Sequence, residues 1–148
     1  MRPIPRKPDG GSDPEVLEKI HAIANSYCQV FSTCGLCLFA LSRGTELPLV
    51  EFINAFSGWD FSVAEALKVG RRALTLRQSF NIREGLTPEQ FTLPEMISQP
   101  PAMGSFSGFL IDFNGLREHF YRAMDWEADK VVPSAKCLSE LGLKDLMA

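Results

Sequence analysis

The chain has 148 residues, a net charge of −3 and 45% apolar residues. That suits one domain with a core of its own, and the acidic balance excludes the basic face that nucleic-acid binding needs. Two histidines leave little room for a histidine-built metal centre.

Residues 1–12 hold three prolines and two glycines without periodicity, which reads as a flexible N-terminal arm or linker. The stretch carries no apolar run of the kind a secretory signal needs. Residues 13–148 then read as one helical domain. Asp13 and Pro14 form a helix start, with Asp13 as N-cap and Pro14 where a missing N–H costs nothing. Val16, Leu17, Ile20, Ile23, Ala24 and Tyr27 follow at helical spacing, so the first helix is expected to reach about Phe31.

A second helix is expected from Leu47 to Phe56, stopped by Gly58. Ser62 and Glu65 have capping-box spacing. They open a third helix with Ala66, Leu67, Val69, Ala73, Leu74, Leu76 and Phe80 at apolar positions, ending near Arg83 before Gly85. Its Arg71, Arg72 and Arg77 read as a solvated or inter-domain face. Leu86 to Phe109 is rich in proline and glycine and reads as a long irregular loop, a length usually tied to function or to packing against another body. Asp112 to Met124 reads as a fourth helix, and Ser134 opens a short last one. No segment reads as a strand. The expected fold class is all-α: an irregular domain of about five helices with a long Pro/Gly-rich loop.

The most apolar run, Tyr27 to Leu41, falls short of the about 20 residues of a bilayer span and reads as buried, so no membrane span is expected. It carries three of the four cysteines, Cys28, Cys34 and Cys37; the other is Cys137. Without an export signal, these point to thiols or metal ligands in a reducing cytoplasm. From the residues alone three readings stand: buried free thiols, a redox dithiol at Cys34-Gly35-Leu36-Cys37, or a self-contained four-cysteine metal site. His21 and His119 fall at mixed helical positions and read as surface or core residues. Trp59 and Trp126 read as core or interface anchors.

Several blocks in order resemble the aldehyde ferredoxin oxidoreductase family. Ser32-Thr33-Cys34-Gly35-Leu36-Cys37 is similar to its D-x-x-G-L-C motif, and Ser57-Gly58-Trp59 to its T-G-W. Gly70-Arg71-Arg72, then Phe80 to Gly85 (FNIREG) and Thr92 to Glu95 (TLPE), resemble its central blocks. Tyr121, Asp125-Trp126-Glu127, Pro133 and Leu138 to Leu143 resemble its tail.

The resemblance implies the C-terminal helical part of a tungsten or molybdenum enzyme that oxidises aldehydes to carboxylic acids. In such an enzyme electrons leave through a 4Fe–4S cluster toward ferredoxin. It implies that Cys37 is one cluster ligand, the other three coming from a C-x-x-C-x-x-x-C segment that this sequence lacks. It also implies that Ser32, Gly35 and Leu36 contact one pterin of a tungsto- or molybdo-bispterin, and that the Leu86–Phe109 loop borders a substrate channel. The partners implied are the pterin-binding and cluster-binding domains or subunit of the same enzyme. Ser32 stands where the motif has Asp, so a hydroxyl replaces a charged acceptor, and Asp125 stands where the tail has Gly. No catalytic residue is expected in this chain, which alone should be inactive and bind no cofactor. The alternative is a non-catalytic remnant or interaction module of the same fold that has lost its cofactors.

Overall fold

The computed structural model describes residues 14–37, 39, 48–97, 99–100, 102–104, 107–108 and 112–146. The expected arm and N-cap Asp13 lie outside them. Among the described residues there are five α-helices: α1 (Pro14–Thr33), α2 (Leu49–Ser57), α3 (Val63–Arg83), α4 (Phe113–Ala123) and α5 (Ala135–Leu141). Short 3₁₀ turns at Pro88–Gln90 and Glu95–Ile97 interrupt the long loop, and another follows α5. The fold is all-α. Among the described residues its one departure is a hairpin between α4 and α5, in which β1 (Trp126–Glu127) pairs antiparallel with β2 (Val132–Pro133) in the register Trp126 to Pro133. Strands this short carry no periodicity to read. Their flanking residues, Asp125 and Val131, take positive φ of 59° and 57°, which side-chain type alone does not advertise.

Local chemistry fixes the helix ends. Ser62 accepts from the Glu65 amide while the Glu65 carboxylate accepts from the Ser62 amide, the reciprocal capping box. Asp112 caps α4 through the Gly115 amide and Ser134 caps α5 through the Cys137 amide. Gly58 ends α2 in the left-handed region. In the turn that follows, the Asn54 amide group both donates to the Phe61 carbonyl and accepts from its N–H.

Helices α1 and α3 form the main contact, and α4 packs on α1. The buried face of α3 is small and polar: Ala66, Gly70, Thr75, Gln78 and Ser79. The apolar positions expected to face inward divide differently. Leu76 and Phe80 are exposed, and the Phe80 ring lies under the Arg83 guanidinium, 5.0 Å from its centroid. At Gly70 helices α3 and α1 approach closely. A Cβ there would lie 2.6 Å from the Ser26 carbonyl carbon and closer still to its oxygen.

The arginines correct the expected solvated face. Arg71 Nη2 donates to the Met124 carbonyl at 2.9 Å, and Arg72 Nε to the Leu141 carbonyl at 2.8 Å. These carbonyls end α4 and α5, where unpaired backbone oxygens and the helix dipole favour a cation. Arg77 Nη1 donates to Gln29 Oε1 on α1 at 2.9 Å. Arg71 and Arg72 are thus internal ties.

The larger core joins Tyr121, Met124, Trp126, Val131, Cys137, Leu138, Leu141 and Leu143, with Leu74 of α3 and Ala22 of α1 packed on it. Tyr121 and Trp126 stack with centroids 5.9 Å apart. Gln78 reaches across to donate to the Val131 carbonyl at 2.9 Å and so helps hold Val131 in its strained conformation. A smaller cluster of Val30, Phe31 and Leu49, flanked by Tyr27 and Ile53, fastens α2 to the end of α1.

Ordinarily, replacing a mid-helix glycine with alanine stabilises by about 1 kcal/mol. At Gly70 the overlap with the Ser26 carbonyl should reverse the sign. Gly70→Ala is expected to cost about 2 kcal/mol net, from an overpacking cost of about 3, and this can be read from urea midpoints.

Candidate functional site

Helix α1 delivers the candidate residues to one exposed tip. Its last turn is closed by the Cys34 amide donating to the Val30 carbonyl and the Gly35 amide to the Ser32 carbonyl, both at 3.0 Å. The Leu36 amide then donates to the Phe31 carbonyl at 3.3 Å. Gly35 takes φ +74°, a left-handed stop that glycine adopts without a Cβ clash. Among the described residues nothing lies within 4 Å of where its Cβ would be. Ser32, Gly35, Leu36 and Cys37 are all exposed and lie together on this turn.

This corrects the expectation that Tyr27 to Leu41 is a buried run. Val30 and Phe31 are buried, but Leu36 is 40% and Phe39 81% exposed. The four thiols separate into classes: Cys34 and Cys37 exposed, Cys28 half-buried, Cys137 buried. The Cys137 Sγ donates to the Met124 carbonyl at 3.4 Å and lies 3.9 Å from Thr75 Oγ1 and Arg71 Nη2. It is a packing residue of the larger core. No group of three or more His, Cys, Asp or Glu side chains able to hold a metal exists among the described residues. All four cysteines are among them, and the structure does not bring them together. The tip presents two exposed thiols, Cys34 and Cys37, on either side of Gly35.

The other singled-out residues fall elsewhere. His21 is exposed. His119 Nδ1 lies 3.4 Å from Glu18 Oε2, joining α4 to α1. Trp126 is buried as expected, but Trp59 is 66% exposed and so is no core anchor of this chain. The tail that carries the resemblance, Tyr121 to Leu143, builds the core. Grooves of about 850 and 560 Å³ lie between the helices. Phe91 and Thr92 of the long loop line the second with Phe120, Tyr121 and Trp126. None of Ser32, Gly35, Leu36 and Cys37 lines either groove. What the sequence did not disclose is a second exposed apolar surface, on α2. Helix α2 turns Leu49 and Ile53 toward α1 and leaves Phe52 57% and Phe56 96% exposed. Two phenylalanines four apart on one helical face were the available signal.

A family model described as aldehyde ferredoxin oxidoreductase, domains 2 & 3, matches residues 4–143. The chain belongs to the aldehyde ferredoxin oxidoreductase family. It is 30% identical to a tungsten-containing aldehyde ferredoxin oxidoreductase of Pyrococcus horikoshii over 98% of its own length and 24% of the relative's. The proteins of the same description from Pyrococcus abyssi and Pyrococcus furiosus are 29% and 28% identical, over 98% and 97% of this chain and 24% of theirs. The chain spans about a quarter of the length of the curated relatives it matches. No described helix is long and apolar enough to cross a membrane.

Within this family frame Cys137 gives a pH prediction. Burial pushes its thiol up, opposed by the Arg71 guanidinium and the Thr75 hydrogen bond. The folded state therefore holds this proton more tightly than the unfolded state. The associated stability is complete below the ordinary thiol range, about 8.5, and is lost as pH rises through the folded-state value. Burial raises Tyr121 as well, adding a loss of the same sign above about 10. Stability should fall from about pH 9 upward, and Cys137→Ala, costing about 1–2 kcal/mol at neutral pH, should flatten the first part of that fall. Urea midpoints against pH check this; an unchanged slope contradicts it.

Proposed function

We propose that this chain forms the helical, cofactor-closing part of a tungsten or molybdenum aldehyde oxidoreductase. Its exposed tip holds one corner of an iron–sulfur cluster through Cys37. The observation that carries this reading is the outward placement of Cys37 on a left-handed turn, flanked by exposed Leu36 and Phe39. Apolar side chains set in that way around a free thiol suit a surface covered in a larger assembly. The tungsten in the relatives' names supports the metal assignment, and a thiolate is the usual ligand of cluster iron.

In this reading Gly35 admits the pterin close to the backbone, Leu36 packs on it, and Ser32 supplies a hydroxyl contact. Bound there, the bispterin metal and the cluster would supply the two-electron oxidation of an aldehyde with water to a carboxylic acid and the outlet to ferredoxin. This chain's contribution is to hold Cys37 in place and to exclude water with the faces around Leu36, Phe39 and Phe56. The three remaining cluster ligands and the rest of the pterin site belong to the pterin- and cluster-binding domains or subunit. Chemistry on the aldehyde is assigned to residues outside this chain.

One residue favours a second reading. Ser32 replaces a carboxylate with a neutral hydroxyl, which weakens a charge-assisted contact by about half. A cofactor-free interaction module of the same fold follows if that loss is decisive. Anaerobic purification of the natural assembly containing this chain, with iron, acid-labile sulfide, tungsten and molybdenum measured, separates the two. The expected outcome is cluster iron that Cys37→Ser removes and Cys28→Ser retains. Iron unaffected by Cys37→Ser contradicts the ligand role, and an assembly free of all three metals supports the module.

A further inference from the structure

We propose that Cys34 and Cys37 form a reversible intrachain disulfide, so that the tip is a thiol redox site as well as a ligand. Cys34 stands at a variable position of the D-x-x-G-L-C pattern, so the cluster role of Cys37 gives it no task. Both thiols are free and exposed, while Cys28 is half-buried in α1 and Cys137 is buried in the core.

Helix α1 ends at Thr33; Cys34 is held at its end by the amide bond to the Val30 carbonyl, and Cys37 lies beyond the helix. A disulfide needs Cα atoms about 4.4–6.8 Å apart, whereas three fully extended residues span about 10 Å. The left-handed turn at Gly35, between the two, draws that step in. Among the described residues, nothing within 4 Å of a Gly35 Cβ position obstructs the remaining adjustment. The other two thiols are poorly placed to compete, Cys28 inside the helix and Cys137 enclosed with Met124, Thr75 and Arg71.

The oxidant is a low-molecular-weight disulfide. One cysteine thiolate attacks a sulfur of the oxidant, forming a mixed disulfide and releasing one thiol. The second thiolate then attacks the protein sulfur of that mixed disulfide and releases the other thiol. Two cysteines are oxidised, one disulfide is reduced, and the two cysteine protons end on the two released thiols. A small dithiol reverses the sequence. The consequence rests on the cluster reading: a closed pair withholds Cys37 from iron, so loading of the centre requires a reduced tip.

The test uses the full chain, reduced, desalted anaerobically and treated with excess oxidised glutathione, followed by intact mass and peptide mapping. The expected wild-type product has lost the two thiol hydrogens, links Cys34 to Cys37, carries no glutathione on either, and returns to the starting mass with dithiothreitol. Cys34→Ser should stop at a glutathione adduct on Cys37. Phenylarsine oxide, which bridges neighbouring thiols, should protect Cys34 and Cys37 together in the wild type and neither remaining thiol in the single variants. Separate glutathione adducts on Cys34 and Cys37 of the wild type, or a bond from either to Cys28, overturn the proposal. Iron in the natural assembly distinguishes the two ideas: a tip that closes while cluster iron is indifferent to Cys37→Ser keeps the redox site and removes its consequence for the cluster.

Discussion

Everything in this fold is referred to one close helix contact. Gly70 of α3 lies against the backbone of Ser26 in α1, leaving no room for a side chain between them. Elsewhere α3 buries Ala66, Thr75, Gln78 and Ser79 rather than large apolar groups, Thr75 against Cys137 and Gln78 against Val131. Such a seam gains less from burial than a leucine-rich one, but it fixes the separation of the helices narrowly. With that separation set, Arg71 and Arg72 reach the closing carbonyls of α4 and α5. Gln78 reaches the Val131 carbonyl, and Arg77 reaches Gln29.

The consequence is a division between two ends of the molecule. At one end the residues from Tyr121 to Leu143 close a core with Cys137 at its centre. Their agreement with the family pattern is a matter of packing. Asp125, at a position where that pattern has glycine, takes a φ of 59°, which explains why glycine suits the family there. At the other end α1 runs past its own support. The small cluster of Val30, Phe31 and Leu49 anchors α2 and leaves the Gly35 turn, Cys37, Phe39 and Phe56 facing outward. This end thus combines an exposed thiol with exposed aromatic side chains.

Local signals carried most of the architecture. The Ser62–Glu65 box, Asp112, Ser134 and Gly58 each mark a helix end within a few residues of its partner, and each stands where the pattern placed it. What could not be read depended on distance or on neighbours. Arg71 and Arg72 looked solvated because their acceptors lie 53 and 69 residues away in sequence. Leu76 and Phe80 looked buried by their spacing, whereas α3 turns Ala66, Gly70, Thr75, Gln78 and Ser79 inward instead. The candidate site was legible only as the likeness of Ser32 to Cys37 to a known motif. Its exposure was not, because an apolar composition reads the same whether the cover comes from this chain or from another.

Differential alkylation of the four thiols tests this division most directly. With the native chain exposed to a small iodoacetamide-type reagent and the modified peptides quantified over time, Cys34 and Cys37 should react first. Cys28 should lag, and Cys137 should react only at the rate of global unfolding, rising in urea through the same midpoint as the loss of helical signal. Cys137 alkylated as fast as Cys37 in native buffer, or Cys37 protected until the chain unfolds, would contradict the account.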